Sequence, residues 1–278
     1  MKIALTLLIA CALFCGTASA QNLKVPAPSP LTTIKQEFAL STVEISYSRP
    51  SVKGRKIFGD LVPYGKVWRT GANAATTITF GDEVTIGGKK VPAGKYGLLT
   101  IPAQGEWTVI ISKQTDVTGA SAYKESEDVV RFKAKAEEMP ISVESFMIVF
   151  DDIKPTSLET VILWDKTAVS FPITTEIDAK VMSQIDQLMK TDKPPYFMAA
   201  MYYYENGKDL DKAVSWMQKA EQENPKAFWI YHYKANALAK LGKKKEAAEA
   251  ANKSMELAKE ARNDDYVTLN EKLLATLK

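Results

Sequence analysis

An all-β domain of sandwich or jelly-roll type, followed by an all-α tetratricopeptide-like domain, is the fold class that the sequence predicts. Three observations carry it. Between Leu31 and Ile177 apolar residues alternate with polar ones and Gly/Pro turns separate the runs. From Asp178 the composition shifts to Ala, Lys, Glu, Met and Leu, and the apolar period becomes helical. Within that second part, similar residues recur 34 positions apart.

The elements follow in order. Lys2 precedes an apolar run from Ile3 to Phe14, and Ala18-Ser19-Ala20 supplies the small residues that signal peptidase accommodates. Residues 1–20 therefore read as a signal peptide cut before Gln21, giving an exported, periplasmic or secreted protein. A lipoprotein reading at Leu8-Ile9-Ala10-Cys11 would leave a very short apolar run. The run is also too short to span a bilayer. Both cysteines, Cys11 and Cys15, fall inside this segment, so the processed chain is expected to have neither disulfide nor thiol chemistry. Three prolines within residues 21–30 make a linker.

The β domain is expected over 31–177. Val43, Ile45 and Tyr47 alternate with Thr42, Glu44 and Ser46; Trp107, Val109 and Ile111 repeat the pattern, as do Val169, Phe171 and Ile173. Val84-Thr85-Ile86, Gly87-Gly88 and Lys89-Lys90-Val91 read as a hairpin, because paired glycines supply the left-handed backbone of a tight turn. Phe146 to Phe150 is apolar on both faces and suits a central strand. The helical domain is expected over 178–278. Ala213 and Ala247, Met201 and Ala235, Ala220 and Ser254, Phe197 and Tyr231, and Tyr204 and Leu238 share the 34-residue spacing. Pro225 stands where such a unit ends its second helix; Lys259 replaces it in the next. Two units cannot bury their outer faces alone, so helices at 178–190 and about 264–277 are expected to cap the stack, or the β domain to cover one end.

The blocks Tyr47-Ser48-Arg49-Pro50, Val62-Pro63-Tyr64-Gly65, Val67-Trp68-Arg69-Thr70-Gly71-Ala72-Asn73, Pro92-Ala93-Gly94-Lys95-Tyr96 and Glu106-Trp107-Thr108-Val109-Ile110 resemble the secreted proteins grouped as domain of unknown function 2911. The resemblance covers about residues 29–177. It implies domain limits and export, and transfers no catalytic residue.

Composition narrows the chemistry. His232 is the one histidine and lies in the helical part, so neither a Ser-His-Asp triad nor a multi-histidine metal site is expected in the β domain. There is no phosphate-binding glycine loop and no calcium loop; no cofactor and no metal is expected. The net charge is +3, and +2 without Lys2, which points to neither nucleic acid nor a membrane surface. Carboxylate-pair hydrolysis stays open through Asp60, Asp82, Glu83, Glu106, Asp151 and Asp152.

Two surfaces stand out. From Arg49 to Arg69 there are six basic residues (Arg49, Lys53, Arg55, Lys56, Lys66, Arg69) against Asp60 alone, with Tyr47, Tyr64 and Trp68 interleaved and Asn73 following. Arginine forks suit carboxylates, phosphates or sulfates, and aromatic faces suit sugar rings. The candidate ligand site is therefore Arg49, Arg55, Tyr64, Trp68, Arg69 and Asn73. The competing reading makes the aromatics core and the basic groups a solvated loop. On the helices, Met198, Tyr202, Glu205 and Asn206, then Trp229, His232, Asn236 and Lys240, would line a partner groove, or else pack against a neighbouring element. The function expected is a non-enzymatic exported binding or scaffold protein, holding a small anionic or carbohydrate-like ligand and a protein partner. The alternatives are a carboxylate hydrolase and a purely structural assembly factor.

Overall fold

The computed structural model describes residues 25–277. The expected signal segment, its cut after Ala20, both cysteines and the start of the linker lie outside the described residues. The chain divides between Glu176 and Ile177 into two compact units, the first all β and the second all α. Among the described residues, no helix is long and apolar enough to cross a membrane.

The β unit contains β1 (Leu31–Phe38), β2 (Ser41–Ser48), β3 (Thr77–Phe80), β4 (Val84–Ile86), β5 (Lys89–Val91), β6 (Gly94–Ile101), β7 (Glu106–Ser112), β8 (Asp128–Asp151) and β9 (Ser157–Thr174). All pairings are antiparallel, in the order β1-β2-β3-β6-β7-β8-β9-β4-β5. Strand pairing is continuous because β8 serves both halves. Its first part pairs with β7 as far as Lys135, and from Ala136 it pairs with β9. The apolar faces of both halves then meet in one core, with Ile45, Ile78, Leu98 and Val109 from one side and Ile86, Ile148, Ile162 and Phe171 from the other.

Two local features show why the chain turns where it does. Gly87 and Gly88, at φ 56° and 75°, form the two-residue turn between β4 and β5. Gly87 is needed twice over, since a Cβ there would lie 2.3 Å from the Phe132 ring. The end of β2 and the chain just after it supply part of β8 with hydrogen-bond partners. The Tyr47 hydroxyl donates to the Ile148 carbonyl at 3.0 Å and accepts from the Ile148 N–H at 2.9 Å. Phe146 N–H donates to the Pro50 carbonyl, Val52 N–H donates to the Glu144 carbonyl, and Arg49 Nε donates to the Phe146 carbonyl. A buried strand edge left without partners would be costly. Tyr47→Phe should accordingly lose about 1–3 kcal/mol of stability in urea unfolding. An unchanged midpoint would show that the hydroxyl is not what satisfies Ile148.

The α unit consists of α1 (Asp178–Leu188), α2 (Tyr196–Glu205), α3 (Leu210–Glu223), α4 (Phe228–Lys240), α5 (Lys244–Glu260) and α6 (Asp264–Thr276). Asp209 and Asn263 cap α3 and α6 by accepting hydrogen bonds from Lys212 N–H and Tyr266 N–H. Small residues let the helices approach closely: Ala200, Ala213, Ala235, Ala247 and Ala251 are fully buried, and Tyr203, Met217, Ile230 and Leu238 fill the spaces between. Helices α1 and α6 lie at the two sequence ends of this unit.

Candidate functional site

The loop between β2 and β3 contributes to two cavities that share one aromatic wall. Phe58, Trp68, Trp107 and Trp164 form that wall. Trp68 and Trp164 stack at 5.8 Å and 15°, and Phe58 meets Trp107 edge-on at 4.8 Å. Phe58 also touches Trp68 and Trp164, each at 6.1 Å. Trp68 is held in place by its backbone, which pairs with Thr100 in both directions, and by its indole N–H, which donates to the Gly71 carbonyl.

Behind Trp68 and Trp164 lies a cavity of about 340 Å³. Arg55, Lys66 and Arg69 line it, together with Pro50, Leu61, Val62, Pro63 and Val67, and no carboxylate does. Two of its lining residues carry N–H groups that are buried and have no hydrogen-bond partner: Arg69 Nε and Trp164 Nε1. An unpaired buried donor costs roughly 1–3 kcal/mol. Both belong to residues that line the one cavity whose charged side chains are all cationic. Arg69 is oriented by a hydrogen bond from Nη1 to the Thr118 carbonyl.

On the Phe58 and Trp107 side lies a second cavity, of about 410 Å³. Tyr64 lines it, with Glu137, Glu138 and Asp165 and with Lys56 and Lys166.

Of the predicted ligand residues, Arg55, Trp68 and Arg69 thus line one cavity and Tyr64 the other. Arg49 and Asn73 line neither: Arg49 Nε serves the Phe146 carbonyl, and Asn73 Nδ2 donates to the Ser29 carbonyl. Arg55 also bonds its own loop, through the Val52 and Ser51 carbonyls. Sequence reasoning missed Trp164, Glu137, Glu138 and Asp165. No local signal marks them, because they reach the loop only through pairing of distant strands. The six carboxylates singled out for hydrolysis line neither of these cavities. Glu83, Glu106 and Asp152 instead pair with Lys90, Lys133 and Lys154. Among the described residues, no group of three or more His, Cys, Asp or Glu could hold a metal ion.

The helical candidates fall into two sets. Met198 is 69% exposed, and Asn206 is exposed beyond the end of α2. Tyr202 donates to Asp178 at 2.8 Å, and burial together with that carboxylate pushes its phenol up to about 12. Lys240 lies over the Tyr204 ring at 3.9 Å, and Trp229 is half-buried. His232 and Asn236 face inward. His232 Nδ1 contacts Asn270 Oδ1 at 2.8 Å, and Nε2 contacts Asn236 Nδ2 at 3.1 Å. The Asn270 amide nitrogen donates to Ser254 Oγ and the Tyr266 carbonyl, so its oxygen accepts and His232 Nδ1 carries the proton.

Residues 29–173, just over half of the chain, match a family described as protein of unknown function (DUF2911). No curated protein matches the chain, and no solved structure does.

Proposed function

The chain belongs to this DUF2911 family, and since its description assigns no activity, we propose a function from the cavity chemistry: the β unit is a binding module for a small anion that carries an apolar ring. One observation carries this reading. The cavity behind Trp68 and Trp164 combines three cationic residues, no carboxylate and two buried N–H donors without partners. The cationic side chains select an anion such as a carboxylate or phosphate, and the Trp, Val, Leu and Pro lining accepts the remainder. The volume suits a ligand of one or two rings.

Phenyl phosphate and benzoate serve as probes, with inorganic phosphate as the control lacking a ring. A bound anion must raise the melting temperature by mass action. Arg69→Gln should weaken phenyl phosphate binding about tenfold or more, as expected for a charge-assisted hydrogen bond of about 1.5–3 kcal/mol. The reading fails if no anion shifts the melting curve, or if Arg69→Gln binds as well as the native protein.

The α unit supplies the scaffold side of the proposal, as two tetratricopeptide-like repeats that contact a protein partner. In support, Ala213 and Ala247, 34 residues apart, occupy matching buried positions in α3 and α5. With His232 and Asn236 engaged internally, the partner surface reduces to Met198, Tyr202, Asn206, Trp229 and Lys240. Export completes the reading: intact-mass analysis should find a chain beginning at Gln21, and a retained Met1 would refute it.

A further inference from the structure

The second cavity, on the Phe58 and Trp107 side of the aromatic wall, has the opposite character to the anion pocket. Three carboxylates (Glu137, Glu138, Asp165) and two ammonium groups (Lys56, Lys166) line it, giving a net charge of −1. Gln104 and Thr167 add a neutral amide and a hydroxyl. Donors and acceptors therefore both line a site with little net charge. A strong anion is disfavoured by the carboxylates, and an organic cation by the lysines. What matches such a rim is a molecule whose own groups both donate and accept.

The aromatic part of the site is set in place by the backbone. Gly59 has φ 85°, and a Cβ there would lie 2.7 Å from Tyr64 Cε2, so only glycine lets the Tyr64 ring rest against this stretch of chain. Gly65 N–H donates to the Pro102 carbonyl and ties down the other side of Tyr64. The ring is thus held, yet Tyr64 remains 41% exposed. A fixed, exposed aromatic ring is the platform on which the C–H face of a pyranose rests.

The acidic side is also built by irregular backbone. The β8–β9 ladder shifts register between Glu138 and Val143 and again between Val143 and Met147, opposite Asp165. Asp165 itself has φ 49°, a left-handed conformation that is uncommon outside glycine. Bulges of this kind re-aim side chains beside binding sites. Asp165 Oδ1 accepts from Ser142 Oγ at 2.8 Å, and Lys135, 2.8 Å from Glu137, holds that carboxyl below the usual carboxylate range. Ionised carboxylates accept paired hydroxyls, while Lys56, Lys166 and the Gln104 amide donate to hydroxyl oxygens.

We propose that the cleft between Tyr64 and the Glu138–Asp165 rim binds a neutral saccharide ring. This assignment is independent of the anion pocket. The experiment is isothermal titration of the processed full-length protein with glucose, galactose, N-acetylglucosamine, cellobiose and chitobiose. At least one should bind saturably at millimolar or lower concentration. Tyr64→Ala and Glu138→Gln should each weaken that sugar about tenfold, the effect of one lost platform or one lost charged hydrogen bond. Both residues are exposed, so neither variant threatens the fold. Arg69→Gln, which alters the anion pocket, should leave sugar binding within about twofold. Three results would each overturn the proposal: no sugar binds, binding survives both substitutions, or Arg69→Gln abolishes it as fully as Tyr64→Ala does.

Discussion

Trp164→Ala should lower the unfolding free energy by about 3–5 kcal/mol, the range for truncating a large buried aromatic side chain. Trp164 is 2% exposed and stacks on Trp68, with edge contacts to Phe58 and to Phe146 at 5.7 Å. The space left by the ring cannot collapse easily, because Trp68 is fixed to Thr100 and Gly71 and Phe146 lies within β8. Trp164→Phe should cost less than half as much. It keeps an aromatic ring against Trp68, and no hydrogen bond is lost because Trp164 Nε1 has no partner. Urea unfolding followed by far-ultraviolet circular dichroism measures both. A loss below about 1 kcal/mol for the alanine variant would mean that the aromatic wall is not part of the core.

The second large effect belongs to the α unit. Asn270 is fully buried and joins α4, α5 and α6 through His232, Ser254 and the Tyr266 carbonyl. Asn270→Leu should cost on the order of 3 kcal/mol, because His232 Nδ1–H loses its acceptor and the Tyr266 carbonyl loses a donor. Ser254 retains its bond to the Phe228 carbonyl at 2.7 Å and suffers less. A double-mutant cycle separates this account from simple overpacking. If the network is what matters, His232→Leu combined with Asn270→Leu should cost clearly less than the sum of the single changes. Additive losses would assign the effect to shape.

The elements that could be read from sequence are those set by local chemistry. Alternation in Val43, Ile45 and Tyr47 marks β2, and Gly87-Gly88 marks the turn between β4 and β5, because each signal lies within a few residues. The change of period at Asp178 likewise marks the first helix. β8 was not legible as one strand. Its middle, Glu137 to Pro140, sets two adjacent carboxylates and a proline where the alternation of Phe132, Ala134 and Ala136 breaks off. It is extended because β7 pairs with one part of it and β9 with the next. The basic loop was recognisable as unusual, but its residues take different roles that composition cannot assign. Arg49 supplies a strand edge, Arg69 lines a cavity, and Trp68 belongs to a wall completed by Trp164. His232 shows the same limit: its spacing with Trp229 and Asn236 is right for one helix face, and only α6 turns that face inward.

The pairing of β4 with the end of β9 also has a kinetic side. Ile86 waits for Ile173, and Tyr47 for Ile148, 101 residues further along. Closing such long loops spends chain entropy before any contact repays it, so an all-β topology of this kind folds slowly. As the chain is synthesised from its N-terminus, the β unit cannot complete its sheet until Thr174 has emerged. The helices, whose contacts run mostly between neighbours in sequence, need no such wait. For a protein exported in the manner proposed, that delay keeps the first half threadable while translocation begins. The helical unit, with its more local contacts, leaves the ribosome after it.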